Sequence, residues 1–204
     1  ESLRNVDSAT RIAEIRNGVS LRCFAAAHDA PGIYRLTVPT GGGKTLASLR
    51  FALEHARMHD MRRIFYVIPF NTILDQNAGA LRDALQNYEG ILEHHSNVVM
   101  DDEAEQSAHT RLAERWDSDI ILTSFVHFMN TLYRKENTDA RRMHRLQRSV
   151  IIFDEVQAIP QNGIRLFERA AQFLVRGLGC TAVLCTATQP SLALEGALHL
   201  HPQS

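Results

Sequence analysis

Lys44 and Thr45 close the stretch Tyr34-Arg35-Leu36-Thr37-Val38-Pro39-Thr40-Gly41-Gly42-Gly43-Lys44-Thr45, and each residue type there answers a need of a bound triphosphate. Consecutive glycines let the backbone curl so that N–H groups converge on phosphate oxygens, at φ/ψ values a Cβ would resist. Thr40, Gly41, Gly42, Gly43, Lys44 and Thr45 are the candidate nucleotide contacts. Lys44 can bring an ammonium to the β/γ-phosphates, Thr45 can offer a hydroxyl to Mg²⁺, and the helix that starts there adds its positive dipole end. Far downstream, Val150-Ile151-Ile152-Phe153 leads into Asp154-Glu155-Val156-Gln157. An acid at the end of a buried strand can hold a metal's water shell, and a second acid beside it can orient and deprotonate an attacking water. Asp154 is the candidate metal ligand with Thr45, Glu155 the candidate base, and Lys44, Asp154 and Glu155 together the candidate catalytic set. A Gly-rich turn and an acidic helix cap are the ordinary alternatives; the pairing of the two motifs favours the chemical reading.

These residues need rigid supports, and the chain alternates strand and helix signals without internal repeats. A helix over 8–27 carries Ile12, Ile15, Val19, Cys23 and Ala26 on one face. A strand at 33–38 enters the glycine loop, and a helix over 44–59 is expected to bury Leu46, Leu49, Leu53 and Ala56. Apolar runs at 64–68, 120–122, 150–153 and 181–184 read as strands, with a weaker strand at 90–94. Helices are expected at 72–86 (Leu74, Ala78, Leu81 and Leu85 inward), 125–134 and 161–177 (Ile164, Phe167, Ala171 and Leu174 inward), with some helix around 104–115. Strands apolar on both faces and joined by helices predict a parallel sheet covered on both sides, a three-layer α/β domain. Ligands in such sheets sit beyond the carboxyl ends of the strands. There stand Thr186-Ala187-Thr188, whose hydroxyls could report the state of the acidic pair, and the polar helix starts Asn71-Thr72 and Thr123-Ser124, ready-made sites for a nucleic-acid backbone. Helix capping accounts for any one of them alone. Adjacent His94 and His95 would point opposite ways on a strand, which argues against a metal site.

With 45% hydrophobic and 22% charged residues in 204, the chain can bury a sizeable core. A net charge of −1 gives no global attraction to nucleic acid or membrane, so any polyanion contact must be local. The basic stretch with Arg134, Lys135, Arg141, Arg142, Arg145 and Arg148 reads first as a solvated face, with nucleic-acid contact the sharper alternative. Cys23, Cys180 and Cys185 lack metal spacing and fit buried thiols of a reducing, cytoplasmic compartment. No apolar run reaches membrane-spanning length, and a chain that starts at Glu1 reads as a piece of something longer.

The strict pattern G-x-x-x-x-G-K-[ST] asks for glycine where this chain has Val38, which turns the comparison from kinases and small GTPases toward helicase-type loops. PTGGGKT (39–45), PFNT (69–72), LTS (122–124), DEVQ (154–157) and TAT (186–188) resemble motifs I, Ia, Ic, II and III of superfamily 2 helicases in order. LTVPTGGGKTLASLRFALEHA, VIPFNTILDQNA, LEHHSN, IIFDEVQAIP and LCTATQP are similar to the core of the CRISPR-associated type I helicase–nuclease family. The resemblance implies a RecA-like P-loop domain with a mostly parallel sheet, ATP and Mg²⁺ as ligands, and ATP-driven movement on single-stranded DNA after recruitment by a crRNA-guided surveillance complex, with no membrane. It assigns coupling to Thr186 and Thr188 and DNA contact to Asn71, Thr72, Thr123 and Ser124; Arg16 would approach the base, and Gln157 stands where many relatives have His. It divides residues 1–204 into a leading helix and connection (8–32), an ATPase core (33–195) and a tail (196–204) toward an absent second RecA-like domain. Another helicase, a restriction translocase or an RNA remodeller would share this core, and a non-hydrolysing ATP switch would not need Glu155.

Overall fold

The computed structural model describes residues 2–69, 71–94, 103–134, 137–188, 192, 194 and 196–200, with backbone alone for 2–9, 71–75, 103–108 and 137–141. In chain order the elements are α1 (Ser2–Ala26), β1 (Ile33–Thr37), α2 (Lys44–Met58), β2 (Arg63–Ile68), α3 (Asn71–Ala84), β3 (Ile91–His94) and α4 (Glu103–Arg115). There follow β4 (Ile120–Ser124), α5 (Phe125–Tyr133), α6 (Asn137–Leu146), β5 (Ser149–Phe153), a 3₁₀ turn at Val156–Ala158, α7 (Gln161–Leu178), β6 (Thr181–Thr186) and β7 (Leu198–His199). Among these residues the strands form one sheet in the order β3-β4-β2-β5-β6-β1-β7, and every pairing is parallel. The phosphate-loop strand β1 and the acid-bearing strand β5 flank β6, as a RecA-like sheet requires.

The sheet is apolar on both faces because both are covered. Tyr34, Leu36, Tyr66, Ile68, Leu122, Ile152, Val183 and Cys185 join one buried cluster with α1, α2 and α3. Phe65, Val67, Ile121, Ile151, Phe153, Ala182 and Leu184 join the other with Trp116, Phe128, Phe167 and Leu174. Alternation along each strand sends neighbours to opposite layers, so an uninterrupted apolar run is the signature of a central strand.

Two helices differ from their expected faces. In α1, Val19 and Cys23 are buried, but Ile12 and Ile15 are 45% and 49% exposed. Arg50 of α2 reaches Ser20 at 2.9 Å and lies 4.7 Å from the Phe24 ring centroid. Arg16 meets the loop ahead of α2, so the earlier turns of α1 overshoot their packing partner. In α2, Leu49 is buried while Leu46 and Leu53 are about half exposed. Ala47, Ser48, Phe51, Ala52 and His55 form the inward face instead. Small residues there let α2 approach the sheet closely, which brings its first turn to the end of β5. Leu198–His199, in the stretch read as a tail, pairs with Tyr34 and Arg35 of β1.

Candidate functional site

The loop between β1 and α2 is shaped by its glycines. Gly41 and Gly43 have φ of +81° and +80°, in the left-handed region that a Cβ disfavours. A Cβ on Gly42 would stand 2.5 Å from Val38 Cγ1 and 3.0 Å from the Pro39 carbonyl oxygen. Val38, the residue that departs from the strict pattern, therefore fills space that only a glycine at 42 leaves open. The Gly42 amide donates to the Pro39 carbonyl at 3.0 Å, closing the turn.

Lys44, in the first turn of α2, is 8% exposed and faces both acids. Its Nζ lies 3.3 Å from Asp154 Oδ1 and forms an ion pair with Glu155 Oε1. Burial alone would depress the Lys44 pKa, but Asp154 and the hydrogen bond to Glu155 outweigh it, and the pKa is raised above that of an ordinary lysine. Burial also raises Asp154 above the usual carboxylate range, opposed by Lys44 and reinforced by Glu155. Asp154 keeps structured partners: Oδ1 accepts from the Glu155 amide at 2.9 Å, and Oδ2 lies 3.5 Å from Asn77 Nδ2. Glu155 sits at φ +50°, a left-handed conformation that costs a non-glycine residue energy. These groups line a cavity of about 410 Å³ together with Arg16, Pro39, Thr40, Gly41, Gly43, Thr45, Leu46 and Asn77.

Beyond the cavity a polar chain runs to β6. Gln157 Nε2 donates to Glu155 Oε2, and the Thr186 hydroxyl lies 2.7 Å from Gln157 Oε1. Thr186 Oγ1 also accepts from the Thr188 amide at 3.1 Å. The two threonines thus reach the acidic pair through Gln157 rather than directly, and Thr188 participates by its backbone. Gln157 and Asn77 are site residues that motif spacing left without a role. Arg16, placed near the base in the sequence reading, meets the loop backbone: its Nε donates to the Gly41 carbonyl at 2.9 Å.

The four residues expected on a nucleic-acid track divide. Asn71 and Thr72 open α3, and their side chains lie outside the described residues. Thr123 and Ser124 do not line a surface groove: they are 0% and 5% exposed. Thr123 Oγ1 donates to the His94 carbonyl at 3.0 Å, tying β4 to β3, and Ser124 caps α5 by accepting from the His127 amide at 3.3 Å. Their hydroxyls are committed to the fold, the ordinary role of such residues at a strand-to-helix junction. Part of the basic stretch is likewise engaged within the domain, while Lys135 and the side chain of Arg141 lie outside the described residues. Arg142 donates to the Glu114 carbonyl at 3.1 Å, Arg145 pairs with Asp117 at 3.1 Å, and Arg148 pairs with Asp60 at 3.1 Å. Cys23, Cys180 and Cys185 are all buried free thiols, raised in pKa chiefly by burial; Cys23 is pushed up to about 12. No helix among the described residues is long and apolar enough to cross a membrane.

Known proteins share this fold. The CRISPR-associated nuclease/helicase Cas3 of Haloferax volcanii is 29% identical over 186 residues, covering 80% of this chain and 20% of that protein. The crystal structure of T. fusca Cas3-ADP superposes with a TM-score of 0.67 at 22% identity, over 83% of this chain and 20% of that one. The Pyrococcus furiosus Hef helicase domain gives 0.59 at 18% identity, over 90% of this chain and 36% of that one. The chain thus spans about a fifth of the Cas3 relatives' length. The model of the DEAD/DEAH box helicase family matches residues 21–195, the whole of the sheet from β1 to β6 and the site at its edge. The chain belongs to the DEAD/DEAH box helicase family.

Proposed function

We propose that this chain is the ATP-binding half of an ATP-dependent single-stranded DNA translocase or helicase of CRISPR type I interference, an antiviral defence acting in the cytoplasm. The observation that carries the reading is Lys44 held between Asp154 and Glu155 at the mouth of a glycine loop. The likeness to Cas3, whose T. fusca structures include Cas3-ATP and Cas3-ADP, supports the choice of nucleotide.

The residues present fit Mg²⁺ and a triphosphate. A Cβ at Gly42 would collide with Val38 and distort the loop, and the donor set of one carboxylate and one hydroxyl suits a hard cation that keeps most of its water. Thr45 and Asp154 would hold Mg²⁺; the bound ion would neutralise charge on the phosphate oxygens. Thr40 and the amides of Gly41, Gly42 and Gly43 shape the phosphate pocket. Lys44, kept charged by its acidic partners, is placed to exchange a carboxylate for phosphate. Glu155 would take the proton of the attacking water. Asn77 steadies Asp154, and Gln157 carries the position of Glu155 to Thr186 at the end of β6 and to Thr188 just beyond it, the two residues we assign to coupling. Asn71 and Thr72 are the proposed DNA contacts, while Thr123 and Ser124 shape the edge beside them. A crRNA-guided surveillance complex is the proposed recruiting partner.

Turnover in the whole protein, followed with single-stranded DNA, with RNA and without nucleic acid, tests this reading. DNA-stimulated hydrolysis is expected. Glu155→Gln should abolish turnover and keep ATP binding, whereas Lys44→Ala should impair both. RNA-selective stimulation, or hydrolysis indifferent to both changes, would contradict it.

A further inference from the structure

Arg16 is anchored to the phosphate loop in two ways. Its Nε donates to the Gly41 carbonyl at 2.9 Å, and its aliphatic stem covers Gly43: a Cβ built there would meet Arg16 Cγ at 3.0 Å and Cβ at 3.4 Å. The Gly41–Gly42 peptide is consequently held on both sides, its carbonyl by Arg16 and its N–H by the Pro39 carbonyl at 3.0 Å. The residues whose torsions would let this plane swing are both glycines, Gly41 and Gly42, and Gly41 is in the left-handed region at φ +81°. A glycine loop is entropically costly to order, and freezing one of its peptide planes in advance lowers that cost at binding.

The support behind Arg16 is firm. α1 is packed through Val19 and Cys23, and Arg50 of α2 bonds Ser20 and lies over Phe24. Arg16 stands at the point where α1 leaves α2 and passes the loop, on the rim of the cavity that Lys44, Asp154 and Glu155 also line.

We propose that Arg16 is a positioning residue that clamps the phosphate loop in its binding conformation by fixing the Gly41–Gly42 peptide. It acts on the phosphate end of the nucleotide through the loop, without reading the base. This rests on the nucleotide reading above for its effect on affinity, and stands apart from it for its effect on the free loop.

The test uses this chain with Arg16→Ala, Arg16→Lys and, as a control on the same helix, Arg11→Ala. Hydrogen exchange of the free protein should show the amides of 41–45 exchanging faster in Arg16→Ala, with an unchanged unfolding midpoint, because Arg16 is exposed and contributes little to the core. The Kd values for fluorescent analogues of Mg²⁺·ATP and Mg²⁺·GTP should both rise, by about three- to tenfold, as expected for loss of one exposed hydrogen bond. Lysine should restore part of the affinity, since it can donate to the Gly41 carbonyl but lacks the planar Nε–H. Unchanged loop exchange, or equal Kd values for wild type and Arg16→Ala, overturns the clamp. A loss confined to the adenine nucleotide also overturns it, in favour of base contact. Wild-type chain that binds neither nucleotide contradicts the nucleotide reading, while the exchange measurement still decides the clamp.

Discussion

Gln157 stands between Glu155 and Thr186, donating Nε2–H to the carboxylate and accepting the hydroxyl proton at Oε1, 2.7 Å from Thr186 Oγ1. An amide suits this place because it presents a donor and an acceptor at once. A proposed water-activating acid on the turn after β5 is thereby joined to the end of β6.

Gln157→Leu should break that joint while sparing the loop. In the whole protein, DNA-stimulated kcat is expected to fall about tenfold, equivalent to roughly 1.4 kcal/mol of barrier, with ATP affinity retained. Steady-state kinetics with and without DNA check this; loss of ATP binding with kcat preserved would place Gln157 in the pocket instead.

Val38 and Gly42 should behave as a pair. A methyl on Gly42 has no room beside Val38 Cγ1, so Gly42→Ala is expected to destabilise the chain by about 1–3 kcal/mol and to weaken nucleotide binding. Val38→Ala in the same chain should recover part of both. A double-mutant cycle by urea unfolding measures the coupling, which is expected to be non-zero.

His55 should make the fold sensitive to acid. The ring is fully buried, with Nδ1 2.8 Å from the Ala27 carbonyl and Nε2 2.9 Å from Thr181 Oγ1. A carbonyl can only accept, so Nδ1 carries the proton and Nε2 accepts from threonine. Burial lowers the pKa from 6.5 to about 4. Because the unfolded chain binds the proton more readily, stability is full above pH 6.5 and falls as the pH drops toward 4. Urea unfolding at pH 7 and pH 5 should show the decline, and His55→Gln should flatten it.

Ser124→Ala should be read in stability before DNA binding. Removing the cap of α5 is expected to cost about 0.5–2 kcal/mol, measured by urea unfolding, because the hydroxyl is bonded to the His127 amide and not displayed at the surface.

Much of this was legible in the residues. Central strands appear as uninterrupted apolar runs because both faces of the sheet are covered, and the glycine loop and acidic pair stand at strand ends where a parallel sheet gathers its ligands. Lys44, Asp154 and Glu155 meet as their types and order implied. Contacts set by how helices lie against one another were not legible. Leu46 and Leu53 have helical spacing toward the core, yet the close approach of α2 to the sheet selects Ala47, Ser48 and Ala52 for the inward face. The Arg16–Gly41 bond spans distant chain positions and has no local signature. Ser and Thr at helix starts look alike whether they cap or contact a ligand, and burial alone separated Thr123 and Ser124 from a surface role.

The most direct test is a titration of this chain with a fluorescent ATP analogue, with and without Mg²⁺, beside Lys44→Ala. The account predicts saturable one-to-one binding that weakens without Mg²⁺ and is lost in Lys44→Ala. Hydrolysis by the chain alone should be slow, since the rate gain of about 10³–10⁵ from an arginine supplied in trans is expected from another domain. Binding that is equally strong in Lys44→Ala, or no saturable binding by the wild-type chain, would contradict the account.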